Sequence, residues 1–178
     1  FDNADSPTAV TYTPDGSMIF TTIQGNNQVQ VIDAARLRDP VISTEIPVLK
    51  NTGNAEAVDP TGLAPQGLVF HPDTNRLFTQ NFMSRTVAVF DVTEALEENK
   101  FNFNQLAEIS SVANEPFSAE VLTGKQVFYN AADTRMGADS YISCATCHAD
   151  GAHDGRNWDF THRGEGLRNT TDLRGRSG

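Results

Sequence analysis

Residues 7–33, PTAVTYTPDGSMIFTTIQGNNQVQVID, return 58 positions later as PQGLVFHPDTNRLFTQNFMSRTVAVFD over residues 65–91. Eight of the 27 aligned positions are identical: Pro7 and Pro65, Pro14 and Pro72, Asp15 and Asp73, Phe20 and Phe78, Thr21 and Thr79, Val29 and Val87, Val31 and Val89, and Asp33 and Asp91. Chance supplies about one or two, so the stretch is a structural repeat. Within each copy the short apolar runs alternate with period two and are rich in β-branched and aromatic residues, the habit of half-buried strands. Expected strands are 9–12, 18–23 and 28–33 in the first copy, and 67–70, 76–81 and 86–91 in the second. Pro14-Asp15-Gly16-Ser17 and Pro72-Asp73-Thr74-Asn75 supply turn chemistry between the first two strands. Fourth strands are expected at 42–48 and 105–112, with an insertion near 49–62.

Four antiparallel strands per repeat read as propeller blades. The residues resemble YVTN-type β-propeller repeats, in which a Pro-Asp-Gly turn precedes a Val-x-Val-Ile-Asp strand, over roughly residues 5–112. A ring needs about four to eight blades. Two are present, so the ring is expected to be incomplete and the chain a fragment.

The strand pattern stops at Asn114, which places a boundary between blades over 1–114 and a second domain over 115–178. Residues 118–129 read as an amphipathic helix capped by Ser118, with Val121, Leu122, Val127 and Phe128 on the apolar face. Beyond it stands Cys144-Ala145-Thr146-Cys147-His148. These are the two cysteines of the chain, and they form the attachment signature of c-type haem. Two thiols one helical turn apart can each form a thioether to a vinyl group while the adjacent imidazole reaches the iron. A dithiol redox pair uses the same cysteines without a role for His148. A zinc site would recruit Cys144, Cys147, His153 and His162, without the paired-histidine spacing of a finger. Asp150 to Gly155 lacks the spacing of a calcium loop and reads as two turns.

The run from Leu122-Thr123-Gly124-Lys125-Gln126-Val127-Phe128 through Ser143–His148 to Arg168-Asn169-Thr170-Thr171 is similar to the bacterial di-haem cytochrome c peroxidase and MauG-like family, with Thr171 where the family commonly has Pro. The resemblance implies a mixed fold, incomplete β-propeller blades followed by a small, mainly α-helical cytochrome c-type domain. It implies one covalent haem c anchored on Cys144 and Cys147, with His148 as proximal iron ligand and His162 as candidate distal ligand. His153 and Met136 are weaker distal candidates. Arg168 is expected to pair with a haem propionate and Trp158 to pack on the haem edge. The implied function is electron transfer in the periplasm or otherwise outside the cytoplasm. Alternatives are a haem peroxidase-like or MauG-like oxidoreductase whose remaining active site lies beyond this segment, and a propeller binding module with a haem sensor. The sequence leaves open whether the chain is an enzyme.

Thirteen Lys plus Arg against 23 Asp plus Glu give a net charge of −10, the wrong sign for non-specific nucleic-acid binding and a hint of a basic redox partner protein. No apolar run approaches the roughly 20 residues of a membrane-spanning helix. The oligomeric state is not legible.

Overall fold

The computed structural model describes residues 6–34, 48–49, 62–98, 103–135 and 142–175. Its main features are two four-stranded antiparallel sheets, one per repeat. The first holds β1 (Pro7–Tyr12), β2 (Met18–Ile23), β3 (Gln28–Asp33) and β4 (Val48–Leu49), in that spatial order. The second holds β5 (Pro65–His71), β6 (Arg76–Asn81), β7 (Thr86–Asp91) and β8 (Asn104–Ser110), again in chain order. A short helix α1 (Thr93–Glu97), which no periodicity announced, comes after β7. Apart from β4, the expected first-copy fourth strand and the insertion near 49–62 lie outside the described residues.

The repeat holds at the level of register. Tyr12 pairs with Ile19 as Phe70 pairs with Leu77, and Val10 pairs with Thr21 as Leu68 pairs with Thr79. The irregularity between Pro7 and Ala9 recurs between Pro65 and Gly67. The backbone repeats even where residues differ. Ser6 and Ala64 have φ of 57° and 54°, and Asn27 and Arg85 have φ of 57° and 58°, all in the left-handed region that side chains other than glycine seldom occupy. The same closing hydrogen bonds form in both copies, from Gln24 N to Ser6 O and from Phe82 N to Ala64 O. Only the first of the two expected turns keeps its open form. Asp15 accepts from the Thr13 hydroxyl at 2.6 Å and from Ser17 N at 3.0 Å, whereas Pro72–Thr74 winds into a 3₁₀ turn that ends on left-handed Asn75.

Residues opposite one another in antiparallel strands share a face, and the sheets pack through one face each. Met18, Phe20, Val29 and Val31 of the first sheet meet Leu77, Ala88, Phe90 and Phe103 of the second in a single buried cluster, with Val92 and Ala95 closing it from α1. Phe20 stacks on Phe70 with ring centroids 5.9 Å apart. Thr8 Oγ1 donates to Pro65 O, and Asn27 Oδ1 accepts from Ala64 N, which tie the sheets beyond their apolar contact.

The described residues after Asn114 do not form a small, mainly helical domain. Those described hold α2 (Ala119–Tyr129), the single turn α3 (Cys144–Cys147), 3₁₀ turns, and a hairpin of β9 (Asn157–Asp159) and β10 (Leu167–Asn169). The expectation of a mainly α-helical cytochrome-type domain is corrected accordingly. The fold is mostly β, with three short helices among the described residues. No helix among those residues is long and apolar enough to cross a membrane.

Candidate functional site

Ser118 accepts from Val121 N at 3.3 Å and starts α2 where the cap was expected. The expected apolar face is not buried. Val121 is 49% exposed, whereas Leu122 is half-buried on the side that bears Lys125, Gln126 and Tyr129, through which the helix docks. Gln126 Nε2 donates to Met83 O at 3.1 Å, Tyr129 meets Phe82 edge-on, and Lys125 Nζ lies 4.5 Å from the Phe117 ring centroid. Arg85 joins the same aromatic pair and bonds Glu115 at 3.1 Å. Just past the helix, Asn130 accepts from Asn27 Nδ2 and Ala131 N donates to Gly25 O. One short segment thus clamps the β2–β3 turn of the first sheet and the β6–β7 turn of the second.

Cys144 opens α3 and Cys147 closes it, so the two thiols stand one helical turn apart on one side of the backbone. Both are half-buried and no disulfide joins them. Ser143, only 4% exposed, donates its backbone N–H to Thr146 Oγ1 at 2.9 Å and fixes the entry to the turn. His148 N donates back to Cys144 O at 3.0 Å. The His148 Nδ1 atom lies 3.0 Å from Ala152 O. A carbonyl only accepts, so Nδ1 holds the hydrogen, and the neutral ring keeps its lone pair on Nε2. Asp150 and Gly151, with φ of 52° and 75°, then reverse the chain. Tyr129 Oη donates to Asp150 Oδ1 at 2.9 Å, which ties this turn to α2. Burial, together with the neighbouring Asp150 carboxylate, pushes the Tyr129 phenol up to about 12. Leu173 N donates to Gly151 O at 2.8 Å, so the end of the described chain lies over the same turn.

The structure pairs two other expected residues and separates the rest. Trp158 and Arg168 are directly opposite in the β9–β10 hairpin and share a face. Trp158 Nε1 donates to Thr170 Oγ1 at 2.9 Å, and Arg168 lies 3.9 Å from the Glu165 carboxylate. His162 sits exposed in the turn Thr161–Arg163 at the tip of that hairpin. His153 accepts from Gly155 N through Nδ1 and lines an open cavity with Asn169, Thr170 and Asp172. Met136 lies outside the described residues. Sequence reasoning missed this hairpin, because its strands of three residues are too short for periodicity to register.

Among the described residues no three His, Cys, Asp or Glu side chains come together to hold a metal ion. The zinc alternative through Cys144, Cys147, His153 and His162 therefore has no geometry behind it.

No protein-family model matches the chain, and no curated protein matches it. Two similar solved structures are lactonases by name. A periplasmic gluconolactonase from Pseudomonas aeruginosa is 24% identical over 63% of this chain and 28% of its own, with a TM-score of 0.44. A protein described as a putative 6-phosphogluconolactonase from Bacteroides uniformis is 15% identical over 60% and 27%, with a TM-score of 0.42. The chain spans less than a third of the length of either.

These findings correct the family resemblance drawn from the sequence. The chain matches neither a YVTN-repeat model nor a di-haem peroxidase or MauG-like one. The described residues after Asn114 hold two short helices and a hairpin, not a helical haem domain. The assignments of electron transfer, peroxidase-like chemistry and one covalent haem c are withdrawn with it, as is the iron that His148 and His162 were to ligate. What remains of the motif is its geometry, two thiols and an imidazole held in a capped, hydrogen-bonded turn.

Proposed function

We propose that the chain is a binding module whose site is the Cys144–His148 turn, with residues 1–114 as a propeller-type scaffold and 115–178 as the segment that bears the site. The single observation behind this is the disposition of that turn, where Cys144 and Cys147 flank one helical turn and His148 is held through Nδ1, which leaves the Nε2 lone pair for a partner. The two sulfurs, at i and i+3 of one turn, stand on one side and can act as a pair, with the imidazole next to them in the chain. The scaffold contributes position. Tyr129 reaches Asp150 from a helix clamped onto both sheets, so the turn is tied to the core rather than carried on a free tail. Arg168 and Trp158, on one face of the hairpin that follows in the chain, and His162 at its tip belong to the same reading as residues that border the site. A location outside the cytoplasm, the compartment named for one of the similar structures, completes it.

The reading requires Cys144 and Cys147 to act together as free thiols toward one thiophilic ligand. Phenylarsine oxide, which bridges two thiols with loss of one water, tests this in intact-mass spectrometry of the folded chain followed by thiol alkylation. The expected result is one phenylarsenic group per chain with neither sulfur alkylated, and loss of that protection in Cys144→Ser. Two alkylated thiols in the presence of the probe overturn the proposal. A mass two hydrogens lower before treatment, restored by reduction, also overturns it and makes the pair a dithiol–disulfide couple instead.

A further inference from the structure

The two repeat copies differ most usefully at one turn. The residues that join β2 to β3 are Gln24-Gly25-Asn26-Asn27, and those that join β6 to β7 are Phe82-Met83-Ser84-Arg85, with no identity between them although the strands on either side share their register. The backbone is common to both turns, since Asn27 and Arg85 hold φ of 57° and 58°. The residues that differ in the second copy are the ones that meet α2 and its approach. Phe82 meets the Tyr129 ring edge to face with centroids 6.0 Å apart, Arg85 lies over Phe117 and bonds Glu115, and the carbonyl of buried Met83 accepts from Gln126. The β6–β7 turn is therefore shaped for the segment that follows the blades.

Tyr129 carries that contact one step further. It is the last residue of α2, and α2 also packs against the thiol turn α3. Its ring lies against Phe82, while its hydroxyl donates to Asp150 Oδ1 at 2.9 Å, two residues beyond His148. Asp150 stands in the left-handed conformation that reverses the chain there. The reversal closes directly on the thiol turn, because Gly151 N donates to His148 O, His148 N donates to Cys144 O, and Ala152 O holds the His148 ring. One side chain thus touches the blade by its ring and the far end of the thiol turn by its hydroxyl. The phenol, pushed up to about 12, keeps its hydrogen and remains the donor around neutral pH.

We propose that Tyr129 is a positioning residue that couples the thiol pair to the blades: it holds the turn in the geometry that presents Cys144 and Cys147 to one ligand, and a ligand that bridges them in return tightens the β6–β7 turn. The coupling rests on the binding role proposed for the Cys144–His148 turn. Its reciprocity follows from linkage, since whatever the docked helix contributes to binding, binding contributes to the dock.

Hydrogen–deuterium exchange of the full chain with and without phenylarsine oxide reads the coupling, and intact mass reports bridging in the same samples. In the wild-type chain the probe is expected to slow exchange about fivefold at 82–86 and 121–129 as well as at 143–152. Tyr129→Phe keeps the ring and loses the hydroxyl. In this variant the probe is expected to bridge the thiols about fivefold more weakly and to protect 143–152 while leaving 82–86 unchanged. Asp150→Asn keeps an oxygen acceptor for the hydroxyl and suits the left-handed backbone, so it is expected to behave as the wild type. Urea midpoints of the three chains are expected to agree closely, because a single exposed hydrogen bond is at stake. Bridging of the wild type with protection confined to 143–152 overturns the coupling and leaves the binding site standing, as does protection at 82–86 that survives Tyr129→Phe. A probe that fails to bridge the wild-type thiols overturns the site itself, and the coupling with it.

Discussion

Asp33 and Asp91 are the same residue at the same repeat position, yet the residues opposite them differ. Arg76 stands opposite Asp91 and forms an ion pair with it, whereas Met18 stands opposite Asp33. Asp91 also accepts from Thr93 N at 3.0 Å at the start of α1. The Thr93 hydrogen bonds, followed by the Arg76 guanidinium, hold the Asp91 carboxyl down at about 2, from an ordinary value of 3.8. A carboxyl depressed on folding stabilises the native state above its unfolded pKa and loses that contribution as pH falls through its folded one. The window is therefore about pH 4 to pH 2. Asp91→Asn is expected to lower the urea midpoint at pH 6, with the gap shrinking steadily as pH falls from about 4 to about 2 and narrowing at pH 6 in high salt because the pair is partly exposed. A gap independent of pH would show that shape rather than charge is lost. The motif Cys144–His148 was likewise legible residue by residue, since its spacing is local. What the spacing could not supply was the set of partners, and the donors expected to complete a metal site do not converge among the described residues.

Among the elements, α2 shows how a helix can be read correctly and its face only in part, since Leu122 lies on the docking side and Val121 does not. Its cap and extent are set by Ser118 and the run after it, but Val121 faces outward while Lys125, Gln126 and Tyr129 make the docking contacts. The exposed end of this helix leans on its cap, because none of its residues is buried. Ser118→Ala is expected to cost roughly 1 kcal/mol locally. Amide exchange over 121–128 should then accelerate about fivefold, with the sheet amides unaffected, as read by hydrogen–deuterium exchange. The helix α1 and the hairpin β9–β10 escaped sequence reading for one reason, namely that five and three residues are shorter than the windows in which period 3.6 or period 2 can be told apart.

For the whole molecule, the energetic centre is the seam between the sheets. Phe20 is fully buried there against Phe70, while its repeat counterpart Phe78 is half-buried. Phe20→Ala is expected to destabilise the chain by about 3–5 kcal/mol, through lost burial and the cavity left behind. Phe78→Ala should cost on the order of 1–2 kcal/mol, measured by urea denaturation, because less of its surface is buried. Equal costs would mean that both faces are packed equally well. Strand positions, turns, caps and the thiol turn were all present in the linear chain, because alternation, Pro-Asp turns and Cys spacing act over a few bonds. Which of two faces each strand buries was not, because Phe20 and Phe78 occupy the same repeat position and are each followed by Thr, and the sheet packed against Phe20 distinguishes the two. The docking side of α2 and the scattering of the histidines were decided in the same way, by contacts between segments that no local period encodes.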